Sequence, residues 1–203
     1  MWTAAILGGG QARRLGGQDK SALLVGGRAI LDRQLAVLHD LGVPVLIVGA
    51  DSRPGTHDIT PVPDRLPGHG PLGGLYTALV ASPTDHVVVV ACDMPFLTAS
   101  FLAHLAAVPD AVDAVVPRLA DGRHPLCARY DRRAAGSIRQ RLEAGRLRVS
   151  EALDELTVRE LGPEELAPFD PDGTLLFNVN TPDDYQRARA IARDTAEPPR
   201  SHA

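Results

Sequence analysis

Apolar residues along this chain come in two textures. Short unbroken runs at 3–7, 45–48 and 87–91 have the length of strands, and the first ends in Gly8, Gly9 and Gly10. Uninterrupted Val/Ile/Leu runs predict strands covered on both faces, as in a mostly parallel sheet held between helices. Elsewhere the apolar positions recur at helical spacing. Ile30, Leu31, Leu35, Leu38 and Leu41 form one such stripe, with Gly42 and Pro44 as stop signals. The same spacing predicts helices over 72–81, 101–107, 134–144, 150–156 and 183–193, and further strands fall at 114–117 and 126–130. Strands alternating with helices predict a doubly wound α/β fold: a single-domain, Rossmann-like three-layer sandwich with a mostly parallel central sheet. Residues 61–74 read as a turn-rich loop. Residues 1–194 are expected to form the domain, and 195–203, with Pro198 and Pro199, a flexible tail.

Composition narrows this further. At 203 residues, with 44% apolar and 23% charged, the chain suits one domain with a buried core. Lys and Arg number 21 against 25 Asp and Glu, giving a formal charge of −4, so no basic excess draws it to nucleic acid or an anionic membrane. Any anion must be held by a local site. No apolar run approaches the ~18–20 residues of a membrane span. The first residues lack the basic and long apolar regions of a signal peptide. Cys92 and Cys127 are too few for a disulfide framework or a zinc knuckle, so a cytoplasmic, reduced protein is expected.

The segment from Leu7 to Lys20 carries the strongest chemical signal. It follows the first predicted strand, where an open α/β sheet places its ligand crevice. Glycines permit close backbone approach, so successive N–H groups can converge on phosphate oxygens, while Arg13, Arg14 and Lys20 add cations. The common glycine motifs do not fit: Gly-x-Gly-x-x-Gly read from Gly8 would need a glycine at Arg13, and a P-loop would need one at Asp19. Asp93, at the end of the 87–91 strand and before Pro95, reads either as a ligand of a divalent cation or as a helix cap. Gly70-Pro71-Leu72-Gly73-Gly74 reads as a tight turn opening a helix. Asn178 and Asn180, at strand alternation, can face one side, with Thr181 and Pro182 as cap and first residue of the last helix.

Leu-x-Gly-Gly-x-x-x-Arg-x-Gly-x-x-x-Lys, met here from Leu7 to Lys20, resembles the signature of nucleotidyltransferases that join a nucleoside monophosphate to a phosphorylated acceptor. This version looks most like the molybdenum cofactor guanylyltransferases, whose segments recur in order from Leu7 to Pro182. The resemblance implies the nucleotide-diphospho-sugar transferase type of fold. It implies transfer of GMP from GTP to molybdenum-molybdopterin, with Mg²⁺ on Asp93. It assigns catalytic roles to Arg14, Lys20 and Asp93. GTP binding falls to Leu7, Gly8, Gly9, Gly10, Lys20, Asp64, Gly70, Pro71, Leu72, Gly74 and Asp93. On the acceptor side it implies His124, Pro125, Asn178 and Asn180, with molybdenum-insertion proteins or molybdoenzyme chaperones as protein contacts. Three departures stand out: Gly8 for a usual Ala, Leu15 for a usual Met, and Gly49 for a usual Asn. On the residues alone, Asp64 is equally a solvated turn residue and His124 an ordinary loop histidine. The rival functions are a molybdopterin cytidylyltransferase, another enzyme of the superfamily, and a non-catalytic nucleotide- or cofactor-binding protein.

Overall fold

In the computed structural model of the protein, residues 1–8, 20–49, 59–109 and 111–194 are described. In chain order the strands are β1 (Trp2–Leu7), β2 (Leu24–Val25), β3 (Arg28–Ala29), β4 (Val45–Val48), β5 (Ile59–Val62), β6 (His86–Ala91), β7 (Ala114–Leu119), β8 (Gly122–Arg123), β9 (Cys127–Asp131) and β10 (Val158–Leu161). The helices are α1 (Ile30–Asp40), α2 (Gly70–Ala81), α3 (Ala99–Ala107), α4 (Ala135–Glu143), α5 (Val149–Ala152), α6 (Pro163–Leu166) and α7 (Pro182–Asp194). The main sheet runs β10-β7-β9-β6-β1-β4-β5, with β8 paired to β7. Its pairs are parallel except around β9, which is antiparallel to both β6 and β7, and β8, antiparallel to β7.

Alternation along the strands sorts the core into two layers. Ala4, Ile6, Val88 and Val90 face α1, α3 and α6, where Leu31, Leu38, Phe101, Leu102, Leu105 and Leu166 are buried. Ala5, Val87, Val89 and Tyr130 face α2, α4 and α5, with Leu72, Leu75, Leu79, Ile138, Leu142 and Ala152. The sheet therefore has helices on both faces, which is why its central strands read as unbroken apolar runs.

A third, smaller cluster sits apart from these layers. Leu23, Val25, Ile30, Val179, Ala188 and Ala192 are buried together, with Phe96, Phe177 and Tyr185 packed against them. The β2–β3 hairpin rests there on α7, and the Tyr185 hydroxyl donates to the Leu24 carbonyl at 3.1 Å.

The sequence pattern differs from the structure in places with a common cause. Residues 61–74 are not all loop: Pro61 and Val62 belong to β5, and α2 starts at Gly70. An edge strand tolerates a proline whose missing N–H faces away from the sheet, and Pro71 sits in the first turn of a helix where its N–H is not required. β10 was hidden because Val158-Arg159-Glu160-Leu161 lies at the other edge, only partly covered, and lacks the texture of a central strand. A 3₁₀ turn at Arg132–Ala134 precedes α4. Asn178 and Asn180 lie outside any strand. They alternate nonetheless, because the Val179 between them is fully buried in the third cluster.

Candidate active site

The strand order reverses beside β1: the chain runs outward through β4 and β5, then returns to β6 on the other side. Ligands of open α/β sheets bind outside the carboxyl ends of strands at such a point. Leu7, the last residue of β1, is the register partner of Ala91, the last residue of β6. Gly8 and the turn bearing Asp93 thus leave the sheet side by side. Gly9, Gly10 and Arg14 lie outside the described residues, and Lys20 opens a 3₁₀ turn over Lys20–Ala22.

On the β1–β4 side the fit is close. Gly8 N–H donates to the Val48 carbonyl at 2.8 Å, and Gly49 N–H to the Val62 carbonyl at 3.0 Å. Gly49 has φ +77°, and a Cβ there would lie 2.6 Å from the Gly8 carbonyl oxygen. An asparagine side chain therefore cannot enter without moving the start of the glycine-rich segment. At the amino end of α2, a Cβ on Gly74 would touch the Leu7 side chain at 3.5 Å. On Gly73 it would press on His69 Cβ and the Leu66 carbonyl, both at 3.0 Å. Gly70 has φ +62°, Pro71 follows it, and Leu72 is buried in the core. Asp64 anchors this corner: its Oδ1 accepts from Leu66 N–H at 3.0 Å and from the buried Thr77 hydroxyl at 3.1 Å.

On the β6 side a cleft of about 270 Å³ is lined by Asp93, Arg123, His124, Pro125, Asn178 and Asn180, among others. Asp93, His124, Pro125 and both asparagines, distant in sequence, meet here. Asp93 is half-buried, with its Oδ1 screened from solvent. It does not cap α3, because the Thr98 side chain accepts from Phe101 N–H and does so instead. The Asp93 carbonyl accepts the Val179 N–H at 2.9 Å, which clasps the asparagine segment to the aspartate turn. Asn178 donates to the Leu176 carbonyl at 3.1 Å. Asp184 accepts from the N–H groups of Asn180 and Thr181, while Thr181 Oγ1 accepts from Asp184 N–H, so the start of α7 is reciprocally capped.

The opposite wall comes from the β8–β9 connection. His124 Nε2 lies 3.1 Å from Asp121 Oδ1, and His124 N–H donates to the Pro117 carbonyl at 2.9 Å. The Tyr130 hydroxyl, inside the core, donates to the Pro125 carbonyl at 2.8 Å. Burial pushes both the Tyr130 phenol and the Cys127 thiol well up from their ordinary values, so both stay protonated. Arg123, which opens the Arg123-His124-Pro125-Leu126 segment that resembles the family's acceptor side, donates to Glu160 at 2.6 Å and Asp154 at 2.7 Å. The Arg123 hydrogen bond, against the opposing effect of burial and with help from Arg118, holds the Glu160 carboxyl below its usual range.

The cleft offers hard oxygens from one carboxylate and two side-chain amides, its imidazole, His124, is paired with Asp121 and its thiol, Cys127, stays protonated, and no group of three His, Cys, Asp or Glu gathers among the described residues. That set suits Mg²⁺, which takes one or two protein carboxylates and completes its shell with water and phosphate oxygens. A larger depression of about 850 Å³ lies between α1 and the amino ends of β4 and β5, against Leu35, His39, Pro44 and Ile59. It is at the wrong end of the strands for the chemistry. Among the described residues no helix is long and apolar enough to cross a membrane.

Sequence reasoning missed the residues that hold the aspartate turn. Gln34 donates from Nε2 to the carbonyls of Ala91 at 2.7 Å and Met94 at 3.0 Å, and Arg33 Nε donates to the Pro95 carbonyl at 2.9 Å. The available signal was a polar residue within an apolar stripe: the buried face of α1 is Ile30, Leu31, Gln34 and Leu38.

A strand-end crevice with one carboxylate, paired asparagines and a glycine-rich entry on a β-α sandwich is the architecture of a nucleotidyltransferase. A sequence profile of the MobA-like NTP transferase domain matches residues 4–157, and the chain belongs to that family. It is 33% identical, over 95% of its own length and 94% of the other's, to a probable molybdenum cofactor guanylyltransferase of Pelotomaculum thermopropionicum. The crystal structure of molybdopterin-guanine dinucleotide biosynthesis protein A from Archaeoglobus fulgidus superposes with a TM-score of 0.82 at 29% identity, covering 95% of this chain and 99% of that one. The Thermus thermophilus 2-C-methyl-D-erythritol 4-phosphate cytidylyltransferase shares the fold, with a TM-score of 0.66 at 18% identity over 95% of this chain and 100% of that one.

Proposed function

We propose that the protein transfers GMP from GTP to the terminal phosphate of molybdenum-bearing molybdopterin, yielding the guanine dinucleotide cofactor and pyrophosphate. The observation that carries this reading is the convergence of Asp93, His124, Asn178 and Asn180 in one cleft beside the Leu7–Gly8 strand end. Nearly full-length similarity to proteins named for this activity supports the same substrates.

The chemistry asks little of a side-chain nucleophile. The acceptor phosphate is already anionic at neutral pH; its oxygen attacks the α-phosphorus, and the bond to the bridging oxygen of pyrophosphate breaks. What remains is to bring two anions together and to stabilise the charge that builds on the leaving group. Backbone N–H groups of the glycine-rich segment beyond Gly8, whose own N–H is held by the Val48 carbonyl, take the triphosphate together with Arg14 and Lys20. Asn178, Asn180 and His124 orient the acceptor from the other wall. Bound Mg²⁺, held by Asp93, supplies positive charge to the phosphate oxygens. Cys127, a neutral buried thiol, takes no part. Molybdenum-insertion proteins or molybdoenzyme chaperones are the protein contacts such a reaction calls for.

The test is pyrophosphate release by purified protein with Mg²⁺ and loaded molybdopterin, comparing GTP, CTP, ATP and UTP. Acceptor-dependent release with GTP alone is expected. A preference for CTP would overturn the guanine assignment, and GTP binding without release would make the protein a carrier.

A further inference from the structure

Gln34 is nearly fully buried on α1, at 3% exposure, in a position where the rest of the helix face is aliphatic. Its two amide hydrogens are committed to the carbonyls of Ala91 and Met94, which bracket Asp93. The orientation of the amide is fixed by chemistry: both neighbours are carbonyls and can only accept, so the NH₂ must face them. The other end pays for this, because Gln34 Oε1 is buried with no hydrogen-bond partner among the described residues. A buried acceptor left without a partner is a standing cost that Leu or Met at the same place would avoid.

We propose that Gln34 is a positioning residue for Asp93, fixing the carboxylate's turn against α1 so that the cation-bearing oxygen is presented to the cleft. The inference rests on the reading of Asp93 as metal ligand given above. Among the described residues three struts on the turn stand out: Gln34 on residues 91 and 94, the neighbouring Arg33 on Pro95, and Val179 N–H on Asp93 itself. Two of them start from one rigid helix, which sets the turn more closely than a loop could. Arg33 also donates to the Val25 carbonyl at 3.3 Å and lies over the Phe96 ring, so α1 links the hairpin after Lys20 to the aspartate turn. Gln34 does not line the cleft and works only by where it places Asp93.

The experiment uses the full chain with Mn²⁺ and GTP as probe, reading the water-proton relaxation enhancement that slow tumbling gives to protein-held Mn²⁺, alongside thermal melting and steady-state kinetics. Gln34→Met keeps length and removes both donors, and Gln34→Leu is a second variant should the first fold poorly. The expected result is Mn²⁺ affinity lowered about tenfold, the usual scale for losing an outer-shell support. kcat should fall similarly, while KM for GTP moves much less. Leu38→Ala, buried on the same helix away from the turn, should melt earlier yet keep the wild-type Mn²⁺ affinity. Unchanged Mn²⁺ affinity in both Gln34 variants, or an equal loss in Leu38→Ala, would overturn the proposal while leaving the function intact. Absence of protein-held Mn²⁺ in the wild type would remove the metal role of Asp93 and this inference with it, a result the pyrophosphate assay reports independently.

Discussion

The two-layer core and the small third cluster do different work. The core is built from central strands whose residues are interchangeable in kind: Val87, Val88, Val89 and Val90 are all buried, two to each face. Losing one methyl group there weakens packing without pointing at any functional atom. The third cluster is small, and its members come from the hairpin after Lys20, the start of α1 through Ile30, the Asp93 loop through Phe96, the asparagine segment through Phe177 and Val179, and α7. Phe96 and Phe177 meet with ring centroids 6.2 Å apart, and Arg187 lies over Phe177. The large core supplies stability, and the small cluster joins segments that flank the cleft-lining Asp93, Asn178 and Asn180.

Substitutions can break or sharpen that contrast. The largest effect is expected at the cleft itself: Asp93→Ala should lower kcat/KM by on the order of 10²–10³-fold, the scale of removing one key electrostatic contributor. Its melting temperature should stay close to wild type, and equal loss of both would return Asp93 to a structural role. Val179→Ala, in the third cluster, should cost about tenfold in activity, comparable to losing a support behind a site residue. Steady-state kinetics on the folded protein checks this. Val88→Ala, at the centre of β6, should reverse the pattern, destabilising by about 2 kcal/mol in denaturant titration with activity per folded molecule unchanged. If both valines behaved alike, the division between the two regions would be wrong.

Two smaller effects probe the margins. Gly49→Asn restores the residue usual in the resembling family, yet here it should destabilise by about 1–2 kcal/mol, because of the positive φ and the Gly8 carbonyl in the way. A neutral or stabilising result, by thermal melting, would mean that the glycine-rich segment shifts freely. The Glu160 carboxyl is held below its ordinary value, so its contribution is complete above about pH 4.3, the unfolded-state value, and is lost as pH falls through the lower folded-state one. Glu160→Gln should therefore flatten the acid limb of the unfolding free energy against pH, read by denaturant titration, by less than about 1 kcal/mol, as befits a partly exposed ion pair.

The architecture was legible wherever burial imposed a strong pattern. The apolar runs at 45–48 and 87–91 named central strands almost to the residue, and Thr181-Pro182 named the start of α7. The edges were not legible. β5 contains a proline and β10 two charged residues, because a strand with one neighbour is free of the constraints that write the pattern. The cleft was visible as motifs but not as an assembly. Nothing in Val179 says that its N–H meets the Asp93 carbonyl, and a glutamine in a helix reads as surface until its surroundings are known. Asp64 shows the opposite limit: one carboxylate oxygen already serves Leu66 and Thr77, a local task that spacing could not disclose.

The clasp between Val179 and Asp93 also sets a timetable. The last strand of the sheet ends at Leu161, while Asn178 and α7 follow later in the chain. During synthesis the sheet-forming residues are thus all made before the segment that closes the cleft, by a delay of roughly one to three seconds at ordinary elongation rates. In that interval the asparagine segment does not yet exist to meet the aspartate turn. Closure of the cleft is thus a late event in the making of the chain, reached only after the framework that supports it has been made.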